Sequence, residues 1–411
     1  MTKTEIMQAA FKVWGREFYF NTSLSHVARE LKVCKPALYR HFMSKQALLD
    51  AMTTRFFDDL AGFIRNDYEK ALGTGDSGRG VFMITRSIAE YFARNVYVFI
   101  FSMIKLQNRQ LEGFKIVDEL HARGVDLLKF HHSNQLIMRL IYATLVFFMA
   151  DFHKRGKSFM NTPTEASIAQ IIDMIGNIIG GGLCYTKEEI DALDYEGLEN
   201  RIAGTINTIG DDPLLKAVAE AVATAGPWEA SMEQIARRSG LAKSSLYSRF
   251  RGKQDMLRQL FMTETVRIIE FARQGMKQSA IPHEQLYLGI ISIVEYLRSK
   301  RDILVTMDWL RNRRPDFDPE NKPPPPNTFL RIFEDIDISS LRGGESLFNS
   351  MPQDSDLWLS PWILFLIINT LMLRNAEQAA SPVKSLDNVQ MSDIRSLHRF
   401  LTLGIGGFSI K

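Results

Sequence analysis

At 411 residues the chain is too long for one ordinary core, so two or three domains are expected. Its 45% hydrophobic and 24% charged residues are globular proportions and exclude a disordered or fibrous chain. Two cysteines, Cys34 and Cys184, are too few for a disulfide framework or a cysteine metal cluster, and a net charge of +3 singles out no partner by itself.

The first residues, Met1 to Ile6, have no apolar run behind their charges, so no signal peptide is expected. Ser23 is a good helix cap, and Leu24, Val27, Ala28 and Leu31 follow at i, i+3, i+4 and i+7. That spacing predicts a short amphipathic helix ending near Leu31. A second helix can begin at Lys35, with Pro36 tolerated in its first turn. Leu38 and Phe42 would face inward and leave Lys35, Tyr39, Arg40 and His41 free. Two short helices on a tight turn, the second rimmed with cations and a tyrosine, form a helix-turn-helix sized for the DNA major groove. Farther along, the apolar stretches Leu140 to Ala150 and Trp362 to Leu373 fall short of the roughly 20 residues a spanning helix needs. They read as core helices of a cytoplasmic protein without a membrane partner. Between them, Thr186 and Glu189 make a capping-box pattern, and Asp212-Pro213 reads as the start of a further helix.

A shift of 208 positions superimposes Ser23, Ala28, Arg29, Lys35, Leu38, Tyr39, Phe42, Lys45, Gln46 and Leu49 on Ser231, Ala236, Arg237, Lys243, Leu246, Tyr247, Phe250, Lys253, Gln254 and Leu257 without a gap. Each window, 23–49 and 231–257, carries a net +4 (5 − 1 and 6 − 2), so the rest of the chain carries 3 − 8 = −5. Two compact basic patches on an otherwise acidic protein suggest two contacts with a polyanion. The copies differ at the turn: the second has Gly240, suited to a left-handed residue after a helix, where the first has Lys32. Keeping the same conformation with lysine should cost about 1 kcal/mol. A weaker match aligns Gly180 with Gly404, a shift of 224, so the second half would hold 224 − 208 = 16 extra residues in its Pro- and Gly-rich text near 313–356.

The motif K-x-x-L-Y-x-x-F-x-x-K-x-x-L, entered through a capped helix and followed by a long helical region, resembles the tetracycline-repressor (TetR) family, and it occurs twice. The resemblance implies an all-α fold of two tandem units. Each would have a three-helix DNA-binding head and a helical body that binds a ligand and dimerises, and the two together would form an intramolecular pseudo-dimer. The boundaries expected are head 1–50, body 51–183, linker 184–211, head 212–258 and body 259–411. Carried over by position, Lys35, Pro36, Ala37, Tyr39, Arg40 and His41 would face double-stranded DNA. Lys45 would hold a phosphate at the next helix, and Ser23 one at a helix amino terminus. The second set is Lys243, Ser244, Ser245, Tyr247, Arg249, Lys253 and Ser231. The helices at 134–155, 166–183, 357–374 and 393–407 would form the internal four-helix interface.

Aromatic and methionine side chains of the bodies are core residues first and candidate pocket residues second: Tyr91, Phe92, Phe99 and Met103 in the first, Trp309, Trp358 and Trp362 in the second. The resemblance implies a small-molecule inducer whose identity the sequence does not give. Neither a cofactor nor a metal is expected: His131-His132 lacks partners at metal spacing, and Gly180-Gly181-Gly182 lacks the lysine-serine pair of a phosphate loop. No nucleophile, base and orienter can be assembled, so the chain reads as a regulator rather than an enzyme. The alternative is an adaptor protein with vestigial heads. Further association of two chains is left open.

Overall fold

The computed structural model describes residues 1–16, 23–106, 115–130, 135–155, 162–183, 185–203, 213–225, 231–305, 356–372 and 389–408, and among them every regular element is helical. Contacts divide the chain near Gly180 into two compact units.

The first unit begins with a head of three helices, α1 (Lys3–Arg16), α2 (Leu24–Glu30) and α3 (Lys35–Tyr39). Its small core is Ile6, Ala10, Val27, Leu38 and Phe42, all of them buried. The body follows as α4 (Lys45–Gly73), α5 (Ser77–Arg94), α6 (Val96–Leu106), α7 (Lys115–His121), α8 (Gln135–Arg155) and α9 (Glu165–Gly181). Ser44 caps α4 by accepting the Ala47 N–H at 3.0 Å, and Asp76 caps α5 by accepting the Arg79 N–H at 3.1 Å. Arg86 and Arg94 of α5 hold α9 through Asp173 at 2.6 Å and Glu165 at 2.7 Å. Helix α8 has an 18-residue window, Leu136 to His153, apolar enough to cross a membrane by length and composition, and 67% of it is buried within the protein. Burial of that extent is what a core helix shows.

The second unit opens with α10 (Lys187–Asp191) and α11 (Tyr195–Ala203). Its head is α12 (Pro213–Ala225), α13 (Met232–Ser239) and α14 (Lys243–Arg249). Its described body is α15 (Lys253–Met276), α16 (Pro282–Ser299), α17 (Asp356–Leu371) and α18 (Met391–Leu403). The capping box at Thr186 forms: Glu189 donates its N–H to the threonine hydroxyl and its carboxylate accepts the Thr186 N–H at 2.8 Å. Residues 187–203 are packed, not loose. Ile190, Leu198 and Ile202 are buried, and Glu199 accepts two hydrogen bonds from Arg395 at 2.8 Å and one from the Tyr287 hydroxyl at 2.6 Å. Arg399 donates to Asp191 at 2.6 Å. Leu183 donates its N–H to the Leu401 carbonyl at 2.8 Å, and the adjacent Gly182, at φ 60°, lies so close to α18 that a Cβ would sit 2.6 Å from the Gly404 nitrogen.

The halves also share text outside the heads. Ser87-Ile88-Ala89-Glu90-Tyr91 on α5 reappears as Ser292-Ile293-Val294-Glu295-Tyr296 on α16, a shift of 205.

Candidate nucleic-acid interface and body cavity

Both helix-turn-helix turns close in the same way. Gly240 is left-handed at φ 68°, and the Leu241 N–H reaches back to the Ala236 carbonyl at 3.0 Å. Lys32 adopts φ 55°, and the Val33 N–H reaches the Ala28 carbonyl at 3.0 Å. Among the described residues Lys32 is the one non-glycine at positive φ. The first copy therefore keeps the turn and carries the strain.

The two reading helices start at equivalent positions, Lys35 and Lys243, but α3 ends at Tyr39 while α14 runs to Arg249. Leu38 and Leu246 are fully buried beneath them, with Phe42 and Phe250 alongside. Lys35, Pro36, Arg40, Lys243, Ser244 and Arg249 are exposed, Ala37, His41 and Ser245 half-buried. Tyr39 and Tyr247 are exposed by 43% and 53%, so neither tyrosine covers the core. Lys35 Nζ stands 5.6 Å from the centre of the Tyr39 ring.

Lys45 and Lys253 each occupy the first position of the long helix that leaves the head, and both are half-buried. Desolvation there holds the Lys45 ammonium below the usual lysine range. Ser23 and Ser231 are helix caps. The Ser23 N–H donates to Nδ1 of His26 at 3.0 Å, whereas the Ser231 N–H donates to Gln234 Oε1 at 2.8 Å and its hydroxyl accepts the Gln234 N–H at 3.2 Å. Each serine's own amide is thus committed inside its cap. Among the described residues, Arg29, Lys32, Arg40, Arg237, Lys243 and Arg249 of the heads make neither an ion pair nor a side-chain hydrogen bond.

The first body contains a small apolar cavity of about 40 Å³. Two helices form its walls with the same spacing, Val81, Ile84, Thr85 and Ile88 from α5 and Met138, Ile141, Tyr142 and Leu145 from α8. Leu127, Phe130 and Ile116 complete it. The aromatic residues singled out from the sequence lie elsewhere. Phe92 stacks on Phe56 with ring centres 6.3 Å apart and meets Phe99 at 5.4 Å; Phe56 in turn meets Phe101, which meets Phe11 of the head at 5.0 Å. Phe92 and Phe99 thus belong to packing that joins α1 to the body. Tyr91 is buried against Phe63, and Met103 is half-buried on α6. Trp362 is fully buried on α17, Trp358 lies on the same helix, and Trp309 lies outside the described residues. Spacing on α5 and α8 could have pointed to the cavity walls, but it marks any buried face equally.

In the second body Glu264 of α15 is buried and accepts from Tyr296 at 2.6 Å and from Arg267 at 2.8 Å, with Lys300 at 3.9 Å.

The family model for bacterial regulatory proteins of the tetR family matches residues 6–52 and again 214–260, so the matches are offset by 214 − 6 = 208, the same shift as the internal repeat. A protein of Bacillus subtilis (strain 168), named as the uncharacterized HTH-type transcriptional regulator YuxN, is 36% identical over 74 residues. That stretch is 18% of this chain and spans about a quarter (24%) of the length of the relative. Two matched segments, each folded as a helix-turn-helix head with the same turn and the same exposed tyrosine, show that the chain carries two heads of the tetR-family type in tandem.

Proposed function

We propose that the chain is a transcriptional repressor that grips one bipartite, non-palindromic operator with both of its heads, acting as a pseudo-dimer in a single polypeptide, and that a small apolar ligand modulates the grip. The observation that carries this reading is the pair of reading helices. Both offer uncommitted cations beside an exposed tyrosine, yet they differ where bases would be read. Pro36, Ala37, Arg40 and His41 correspond to Ser244, Ser245, Ser248 and Arg249. A proline–alanine surface suits a thymine methyl, serine hydrogen-bonds to several bases, and arginine favours guanine. The half-sites should therefore differ in sequence, with centres about one helical turn apart. Lys45 and Lys253, partly desolvated in the free protein, are suited to backbone phosphates, which would favour their charged form. Modulation by a ligand is supported by the cavity between α5 and α8 and by the aromatic packing that ties α1 to the same body.

Selection of binding sites from random double-stranded DNA by the purified chain, at two salt concentrations, tests the reading. The expected outcome is an asymmetric two-part motif bound more weakly at high salt. A perfectly palindromic preferred site refutes the division between heads, and the absence of any motif refutes specific DNA binding.

A further inference from the structure

Residues 187–203 join helices of the second body to one another. Glu199 of α11 accepts from α16 and α18 at once, from the Tyr287 hydroxyl at 2.6 Å and from Nε and Nη2 of Arg395 at 2.8 Å each. Tyr195 repeats the bridge. Its ring meets Tyr287 of α16 edge-on at 4.7 Å, and its hydroxyl shares a hydrogen bond with Nδ1 of His398 on α18 at 3.0 Å. Ile202 adds α15: a Cβ placed on Gly275 would come within 3.2 Å of Ile202 Cδ1 and would collide with Ser292 Oγ of α16. Helix α15 starts at Lys253, a short turn after the second reading helix ends at Arg249, so a segment that fixes α15 also fixes the base of that head.

The first body joins the corresponding helices in another way. Helix α5 matches α16 through the shared Ser-Ile-x-Glu-Tyr text, and α9 matches α18 through Gly180 and Gly404. Here α5 meets α9 directly, Arg86 with Asp173 at 2.6 Å and Arg94 with Glu165 at 2.7 Å. The Asp173 and Glu165 side chains are 53% and 77% exposed, whereas that of Glu199 is 16% exposed. Exposed ion pairs are screened by salt and contribute little. A carboxylate largely withdrawn from water that accepts three hydrogen bonds, two of them from an arginine, is costly to release. The Arg399–Asp191 pair, with its aspartate 47% exposed, adds less. Equivalent helices are therefore held loosely in one body and firmly in the other.

We propose that residues 187–203 are a clasp that holds α16 to α18, and through α15 the second reading helix, in one arrangement, so that the second unit anchors the regulator and the first is the half that shifts. The proposal rests on the reading that both heads grip one operator, and it gives the two halves different parts in regulation.

Amide hydrogen exchange of the full chain tests the clasp without DNA. Raising the salt from about 0.05 to about 0.5 M should speed exchange in α5 and α9 and leave α16 and α18 as they were. Glu199→Gln keeps the shape of the side chain and removes its charge. Exchange should then rise about tenfold in 187–203, α14, α15, α16 and α18 together, and stay at parent rates in the first unit. Tyr287→Phe, which removes one hydrogen bond and keeps the ring, should raise exchange in the same elements by about threefold. Equal salt sensitivity of the two bodies, a rise confined to 187–203, a rise shared by both units, or no rise in either variant overturns the clasp. Protection of the selected operator tests the anchoring. In Glu199→Gln the half-site that is lost in Arg249→Ala should be bound about fivefold more weakly and the other half-site as before. Equal weakening at both half-sites, or at neither, overturns the anchoring. A parent chain that selects no operator removes the DNA-binding reading and the anchoring with it, while exchange still decides the clasp.

Discussion

Lys32→Gly and Gly240→Ala perturb one backbone position in opposite directions. The two residues end equivalent helices at φ 55° and 68°, and each is followed by the same closing hydrogen bond at 3.0 Å, from Val33 to Ala28 and from Leu241 to Ala236. A side chain in the left-handed region costs about 1–2 kcal/mol. Glycine gives back about 0.4–1 kcal/mol through the greater freedom of the unfolded chain. The net preference for glycine is therefore about 0.5–1 kcal/mol. A Cβ placed on Gly240 meets no atom within 4 Å, so the loss in Gly240→Ala is a backbone effect without a packing contribution. Whole-chain melting would blend two units and hide a change of this size. Amide hydrogen exchange at Val33 and Leu241 reads it locally. Protection of Val33 should rise about two- to fivefold in Lys32→Gly, and that of Leu241 should fall by a similar factor in Gly240→Ala. If Val33 becomes less protected, or Leu241 is unmoved, the lysine turn is not strained and the argument from positive φ fails.

Stability of the first unit should fall on acidification through a buried histidine. His153 is 1% exposed, shares Nε2 with the Phe92 carbonyl at 3.0 Å, and is held by burial at a pKa of about 4. The unfolded chain takes up a proton near pH 6.5 and the folded chain does not, so stability is present above that value and declines until about pH 4. The whole interval is worth on the order of 3 kcal/mol. Urea unfolding between pH 7 and 5 should show the decline in the parent and a flatter profile in His153→Gln; identical profiles would exclude His153 as its source. Gly182→Ala should destabilise the second unit by roughly 1–3 kcal/mol, since its Cβ would collide with the Leu401 carbonyl of α18 and with the Gly404 nitrogen just beyond it. Faster exchange of the Leu183 amide checks this, and an unchanged rate would mean that α18 shifts without cost.

The heads were legible in the sequence because three independent signals agree there. Helical spacing puts Leu38 and Phe42 inside, cap chemistry starts the helices at Ser23 and Ser231, and the glycine at 240 marks a turn that Lys32 keeps. The bodies were legible only as helices. A spacing of i, i+3, i+4 and i+7 marks the buried face of α5 and α8 but does not say whether that face packs tightly or leaves a void. Large aromatics attract attention as pocket residues, yet Phe92 and Phe99 fill space rather than border it. The segment read as a linker shows its capping box in the sequence. Its docking depends on Glu199 meeting Arg395 from almost 200 residues away, which no local pattern encodes.

Fusing two units changes what each may become. In a homodimer a substitution appears in both subunits; in one chain it appears once, and a compensating change can follow in the same copy. The heads carry such a pair. Lys12 of α1 bonds Glu30 of α2 at 2.5 Å, and the corresponding positions, 208 residues on, are Glu220 and Arg238 with the signs exchanged. There the two side chains flank the half-buried Asp302, whose pKa burial and Glu220 raise while Arg238 and Lys216 lower it. The bodies show the same independence. Phe56, stacked on Phe92, corresponds to the buried Glu264, and the shared tyrosine that is packed against Phe63 as Tyr91 donates to that carboxylate as Tyr296. Exchanges that need two or more matched changes mean that each half has been tuned on its own terms while its framework was kept. Differences between the reading helices at Pro36 and Ser244, or His41 and Arg249, therefore belong with these exchanges. Two heads free to differ in their ion pairs are equally free to differ in the bases they read, which is what the proposed operator with unlike halves requires.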